Sequence, residues 1–510
     1  MAKAAPRPVS RPGVGRMALF TLLGFSAGLP FYLFSTVLFL RLTRNGVDLM
    51  TISFFAWVAL LPTFKFLWAP LLDRYTVPGF GRFWGKRPGW ILLSQLGIAS
   101  SMVALAFADP DRNLALTALW AVALAFWTTT LEVAADAWRI ELAPEKSQQA
   151  PLVAATLWGY RSAMVAAGSI TLIIADGAGW TTAYLVIALG AFLAFPILIA
   201  TSADLSLPSS NRWSALGAGL LTSAGVLTAM AAIFAGVGSV LLMAAARAGL
   251  TSETNITPIV LALSMLPFIV MALAIPRIRR APRTSRLRSS PAFGPYVDFF
   301  WRYGFASLGI LAFVSLYRMG DVLALTLSKP LVNSVGYSLT QIGVADGAVA
   351  LASSIVGVGL GSWAAARWSR GWALAVGAVL AAIGNLSFVW LANQPPAPFV
   401  LYAATAADQF GNGFAGAVFV VYLSLLVNPQ HPGSQFAFLS AFAFMLPRLL
   451  AGASGSIERV IGYDGFFLLT AVLSLAAIAL LPLVARPRLL EEGESTSNSP
   501  DISDRCVTNS

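Results

Sequence analysis

Ionisable side chains set inside long apolar runs are the residues of this chain that could do chemistry. Lys65 lies in Phe64-Lys65-Phe66-Leu67-Trp68-Ala69-Pro70-Leu71-Leu72-Asp73-Arg74-Tyr75, at the end of an apolar run that opens near Met50. A charge in hydrocarbon costs about 3 kcal/mol or more, so it faces either a solvated cavity or a buried counter-ion. Lys65 is therefore a cavity cation or half of an internal ion pair. Asp73 and Arg74, just past the run, read as a gate or a loop clamp. In Leu131-Glu132-Val-Ala-Ala-Asp136-Ala-Trp138-Arg139, the ionisable residues recur at i, i+4 and i+7, on one helical face. Carboxylates at that depth can carry protons; the alternative, weightiest for Asp136, is a salt-bridged helix end. Arg161, in Gly159-Tyr160-Arg161, keeps its charge at any accessible pH and must meet an acid or an anionic ligand. Tyr317-Arg318-Met319-Gly320-Asp321 holds an i, i+3 pair able to neutralise itself. Asp346, Asp408-Gln409-Phe410-Gly411-Asn412 and Pro447-Arg448 complete the set. Charges of both signs suit a solute bearing carboxylates and amines. Trp127, Trp158, Tyr160 and Tyr317 could stack on sugar rings, or pack in interface belts and the core.

The elements that position these residues follow from composition. Of 510 residues, 57% are hydrophobic and only 11% charged; soluble domains carry about 25% charged residues, so the chain is an all-α integral membrane protein. Its net charge of +11 sits in short loops, where membrane topology accounts for it, and no nucleic-acid motif accompanies it. A lone cysteine, Cys506, excludes an intramolecular disulfide or a Cys-based metal cluster. The lone histidine, His431, sits in the turn Asn428-Pro-Gln-His431-Pro-Gly with no second ligand nearby. No catalytic residue, metal or cofactor is expected, and an enzyme is excluded for want of a nucleophile–base pair. With no membrane histidine, carboxylates must carry any protons.

Apolar runs of about 20 residues place spans at 17–40, 51–72, 90–107, 114–134, 152–174 and 182–200. Two more fall at 216–246 and 256–275, then six at 305–327, 338–364, 372–392, 399–427, 436–457 and 466–484. The first run is too long for a signal-peptide core and is expected to stay uncleaved. Gly24 and Gly28 have the small-xxx-small spacing of close helix contacts, and Pro30 is expected to bend the helix. With both termini in the cytoplasm, only Arg41, Arg44, Arg112, Arg247, Lys329 and Arg459 fall in outside loops. The expected division is an N-terminal arm (1–16), a six-helix half (17–202), an inserted pair (203–275), a basic cytoplasmic linker (276–302), a second six-helix half (303–485) and a disordered tail (486–510).

Two six-span halves joined by a basic loop resemble the major facilitator superfamily. Asp73-Arg74 with Lys86-Arg87, and Gly361-Ser-Trp-Ala-Ala-Ala-Arg367-Trp-Ser-Arg370 after the equivalent span, resemble its loop signature; the first lacks the leading glycine and the second lacks the acid. More narrowly, Gly24-Phe-Ser-Ala-Gly-Leu-Pro30, the Lys65 stretch, Asp136-Ala-Trp138, Gly159-Tyr-Arg161, Tyr317-Arg-Met-Gly-Asp321 and Gln435-Phe-Ala-Phe-Leu-Ser-Ala441 are similar to the AmpG-type muropeptide permeases, in order, between about Met17 and Val484. Leu131-Glu132 stands where that family usually has Gln-Asp. The resemblance implies a monomeric proton symporter of the bacterial inner membrane. It would import GlcNAc–anhydro-MurNAc and its peptides for cell-wall recycling by alternating access. It would place Lys65, Glu132, Asp136, Arg161, Arg318 and Asp321 in or beside the transport path. With the residue reading above, the expected substrate-binding set is Lys65, Tyr160, Arg161, Arg318, Asp408 and Gln435, the expected proton carriers are Glu132, Asp136, Asp321 and Asp346, and the expected gate is Asp73 and Arg74. Acetyl-coenzyme A or another anionic solute is the alternative within the superfamily; a non-transporting membrane sensor is the alternative outside it.

Overall fold

Long apolar runs with few breakers leave the backbone one way to satisfy its hydrogen bonds in lipid, and the chain takes it by folding into helices. The structure is a computed structural model that describes residues 12–45, 56–77, 84–110, 112–143, 145–196, 198, 269, 271–280, 290, 293–451 and 454–484. Ten helices among the described residues are long and apolar enough to cross a membrane. In the first half, α1 (Val14–Tyr32) passes through a wide π turn, Leu33–Val37, into α2 (Leu38–Arg44). A 3-10 helix, Ala56–Leu67, is followed after Trp68 by α3 (Ala69–Arg74), then α4 (Lys86–Phe107), α5 (Leu114–Leu142) and α6 (Lys146–Gly190). Gly179, at φ 81°, breaks α6 into two helices. A short helix α7 (Gly294–Tyr303) precedes the second half: α8 (Ala306–Val335), α9 (Leu339–Val344), a π turn Ala345–Val349 leading into α10 (Ala350–Arg367), α11 (Arg370–Ala392), α12 (Pro398–Leu426), α13 (Pro432–Ala451), α14 (Ser454–Ala479) and α15 (Leu481–Val484).

Dividing α6 at Gly179 and counting 56–72 as a span, with Asp73 and Arg74 just past its end, gives six spans on each side of α7. The inserted spans at 216–246 and 256–275 fall outside the described residues, save 269 and 271–275; so do most of the N-terminal arm and the whole tail from 485. The linker carries structure, since 271–280 is helical and α7 turns Phe299, Phe300 and Tyr303 into the core. The second span differs most from expectation. Lys65 lies in a 3-10 helix containing Pro62, not in a continuous α-helix. A 3-10 stretch of this length is uncommon and marks strain or a hinge.

Within each half the helices approach closely through small residues. On Gly159 of α6 a Cβ would stand 1.8 Å from the Thr21 carbonyl oxygen of α1, and on Gly24 of α1 it would stand 2.1 Å from that of Thr156. The expected Gly24–Gly28 contact is therefore made against α6. Gly159→Ala is expected to force the two helices apart at about 2 kcal/mol, seen as a thermal unfolding midpoint several degrees lower in detergent; an unchanged midpoint would show that the seam relaxes freely.

Candidate functional site

One end of the bundle is sealed by side chains that cross between halves. Leu19 and Phe20 at the start of α1 pack beside Trp68, Tyr75 and Trp138 there. At the same end Leu481 and Val484 join the cluster of Ile140, Phe299 and Phe300. The described chain thus begins and ends at this basic face. Asp73, at the end of α3, accepts hydrogen bonds from the backbone N–H of Gly433 at 3.0 Å and of Ser434 at 2.7 Å, and from the Ser434 hydroxyl at 2.5 Å. These are the orphan donors of the first turn of α13, so a carboxylate from one half caps a helix of the other, where the helix dipole favours negative charge. Arg87 holds that carboxylate from behind at 2.7 Å and also binds Glu141 at 2.7 Å. Burial pushes the Asp73 carboxyl up, but the Arg87 charge and the Ser434 hydrogen bonds outweigh it and leave it below the usual carboxylate value. A depressed folded value means the clasp is intact above the ordinary value near about 3.9 and is lost only as pH falls through the lower folded one. At neutral pH it is a fixed fastener, not a proton sensor.

A second fastener lies beside the first. Arg139 binds Asp136 at 3.0 Å and Gln149 at 2.8 Å, and crosses to the Ser424 hydroxyl of α12 at 3.2 Å. Lys146 donates to the Trp368 carbonyl at the end of α10. The second-half loop signature lacks its acid, and this lysine–carbonyl contact stands in its place. Tyr296 of α7 donates to the Phe66 carbonyl, so the linker helix braces the same closure.

Above this seal lies a cavity of about 320 Å³ between the halves. Its floor is an apolar plug of Ala154, Val358 and Ala417 with Leu157 and Trp158; the Trp158 indole donates to the Ile355 carbonyl across the halves at 2.9 Å. Tyr32, Arg161, Ser169 and Leu172 line one wall; Gly343, Asp346, Gly347, Ser354 and Gln409 line the other. Asp346 and Gly347 come from the π turn, a backbone irregularity of the kind that gathers at functional sites. The Ser354 Oγ is buried with no partner among the described residues. Arg161 binds the side-chain carbonyls of Gln409 at 3.1 Å and Asn412 at 3.3 Å. No carboxylate among the described residues lies within 4 Å of its guanidinium. Neutral amides, not a directly paired carboxylate, take these two donors. A further cavity, lined by Arg44, Asp176 and Trp180, adjoins through Leu172, which both share.

A layer of charges flanks the cavity. Lys65 meets Glu132 at 3.7 Å, with the side chains 11% and 20% exposed. Arg318 meets Asp321 at 2.8 Å, the neutralising pair expected from their spacing. Arg448 of α13 reaches the Thr63 hydroxyl of the 3-10 helix at 2.7 Å, and both Arg318 and Arg448 lie over the Phe444 ring. Tyr160 packs on Phe31 at 6.1 Å. Tyr317 is buried, stacked on Phe419 at 5.2 Å, so its ring is core packing.

Several residues differ in place from their sequence assignment. Gln435 is 0% exposed and stands at the sealed end. Its amide donates to Asp298 and to the Pro295 carbonyl and accepts from Arg302 and the Asn428 N–H. With its hydrogen-bonding capacity used, it fastens α7 to α13 away from the cavity. Asp136 belongs to the Arg139 fastener. Asp346 is 43% exposed and paired with Lys329 at the cavity mouth, so it is not a secluded proton site. Asp408 is not among the cavity's lining residues and accepts from the Gln409 amide at 2.8 Å. Arg74 is exposed beside the Tyr75 ring. Gln409 and Asn412 stand in the Asp408–Asn412 stretch of the sequence with no role of their own there, and Asp298 and Arg302 have none either. Asp298 and Arg302 are four apart in a segment that could have been read as an amphipathic helix.

No family model matches the chain. It is 27% identical over 476 residues, 93% of its length and 80% of the relative's, to the anhydromuropeptide permease of Escherichia coli (strain K12). The chain is similar in sequence to the AmpG permeases along most of its length. Solved structures agree on the fold. The major facilitator proton:xylose symporter XylE superposes at a TM-score of 0.60, with 14% identity, over 94% of this chain and 98% of that one. A peptide transporter, POT, gives a TM-score of 0.51 at 15% identity over 94% and 93%. The chain has the major facilitator fold and is a multi-pass transporter of the bacterial inner membrane, not an enzyme.

Proposed function

We propose that the chain imports anhydromuropeptides, GlcNAc–anhydro-MurNAc and its peptides, together with protons, by alternating access of its two halves. The basic sealed end faces the cytoplasm, in keeping with the placement of lysine and arginine. The observation that carries the proposal is Arg161, a cation at the wall of an inter-half cavity whose guanidinium meets amides and, among the described residues, no carboxylate within 4 Å. A planar guanidinium fork matches a carboxylate in two parallel hydrogen bonds, and the peptide of a wall fragment supplies such groups. The adjoining cavity extends the space for an elongated solute, with the Trp180 ring on its wall. Acetyl-coenzyme A is less well suited. Its several phosphate charges call for a cluster of cations, and the linings of the two cavities hold one each, Arg161 and Arg44, the latter beside Asp176.

Alternating access then amounts to opening the Asp73 and Arg139 fasteners while the outer path closes. No cofactor takes part; the proton gradient supplies the energy. Counterflow tests the substrate. Liposomes loaded with unlabelled disaccharide tripeptide should concentrate external labelled tripeptide transiently, and external acetyl-coenzyme A should not compete. Counterflow with acetyl-coenzyme A alone would move the chain to the other solute class. Binding without flux in sealed liposomes would make it a sensor. Glu132→Gln leaves Lys65 without its carboxylate; gradient-driven uptake should fall at least about tenfold with normal membrane insertion. Unchanged uptake would remove Glu132 from the proton path.

A further inference from the structure

Gln409 touches two charges at once. Its Oε1 accepts from Arg161 Nη1 at 3.1 Å, while its Nε2 donates to Asp408 Oδ2 at 2.8 Å. One planar amide thus ties a cation of the first half to a carboxylate of the second. Asp408 has no cation within 4 Å among the described residues, so this amide is its bonded route to positive charge. The charged groups that face it are Asp321 and Lys329 from α8 and Arg161 from α6. From α11 comes Gly384, where a Cβ would stand 2.8 Å from Asp408 Cα; that close approach fixes the backbone which carries both Asp408 and Gln409. Arg161 and Gln409 line the cavity, and Asp408 stands behind them.

The geometry points to Gln409 as the link that converts arrival of an anionic group at Arg161 into uptake of one proton by Asp408. This rests on the proton-coupled, anionic-solute reading above and assigns the proton linked to binding to a carboxylate of the second half. The incoming carboxylate takes the guanidinium fork, compensates its charge and displaces the Gln409 carbonyl. Asp408 is then left facing Asp321 with less positive charge in reach. One proton from the outer aqueous side converts the Asp408 carboxylate to the neutral acid, and no bond of the solute changes. Linkage runs both ways: if solute binding favours the proton, the proton tightens solute binding by the same factor. Solute and proton therefore load together from the outer side, and release of either at the cytoplasmic side weakens the hold on the other. Gln409 acts here as a positioning residue.

Calorimetry of the purified full chain, titrated with disaccharide tripeptide in two buffers of different ionisation enthalpy near neutral pH, counts the protons directly. Wild-type protein should take up about one proton per ligand. Asp408→Asn should bind without proton uptake, and its affinity should stay level across the pH range in which that of the wild type strengthens on acidification. Gln409→Ala, which cuts the bridge and leaves both charges, should bind with less than half the wild-type proton uptake. Asp408→Glu, which restores a titrating group, should recover it. Wild-type proton uptake persisting in either Asp408→Asn or Gln409→Ala would overturn the inference while leaving the transport reading standing. Wild-type binding with no proton uptake at all, or no binding of the tripeptide, would overturn that reading and the inference with it.

Discussion

Arg161→Gln should abolish uptake of anhydromuropeptide. The side chain it replaces donates to Gln409 and Asn412 at the cavity wall and has no carboxylate within 4 Å among the described residues. Removing one partner of a charge-assisted, desolvated contact costs about 3 kcal/mol, roughly a hundredfold in affinity. Arg161→Lys keeps the charge and loses the fork, so it should retain part of the activity, about tenfold down. The pair of variants separates charge from geometry. Uptake rates from washed vesicles at equal protein content give the comparison. Equal loss in both would mean that the planar fork, not the charge, decides binding; normal uptake in Arg161→Gln would remove the residue from the substrate path.

Asp73→Asn should unfasten the basic end. The carboxylate accepts three hydrogen bonds from the α13 N-terminus and a fourth from Arg87. Asparagine keeps the shape but loses the charge that Arg87 and the helix dipole both favour. About 2 kcal/mol of preference for the closed end should go, roughly thirtyfold in a two-state ratio. The chain's lone thiol, Cys506, makes this readable. In a Cys506→Ser background, a cysteine at Ala137, buried beneath Gly433, should resist a maleimide applied from the basic side. With Asp73→Asn added it should react readily. The same slow labelling in both would show that the clasp does not hold the gate.

What the sequence made legible was carried by charge and by spacing. Lys65, Glu132 and Arg161 stand out because an ion in an apolar run is conspicuous, and Arg318–Asp321 because i, i+3 neighbours meet on a helix. The paired alternative offered for Lys65 is the geometry it adopts, 3.7 Å from Glu132. The amides around Arg161 were illegible for a physical reason. Gln409 lies 248 residues away, and a neutral side chain in a membrane helix carries no signal of which partner it will find. Gln435 shows the same limit: its place in a motif pointed to a solute, while the partners its amide meets are Asp298 and Arg302 of the linker, over 130 residues away. Asp346 was read inside a span and lies in one, Gln341–Arg367, where the π turn sets it on the cavity wall paired with Lys329. Pro62 was the visible warning that the Lys65 segment would not be a regular helix.

The central claim is that an acid–base cavity between two halves moves an anionic wall fragment at the expense of a proton gradient. Accumulation of labelled GlcNAc–anhydro-MurNAc tripeptide in proteoliposomes, with and without an imposed gradient acid outside, tests it most directly. The account predicts accumulation above the external concentration with the gradient, and only equilibration once a protonophore collapses it. Accumulation that ignores the protonophore, or a wild-type protein that leaves the tripeptide outside, would contradict it.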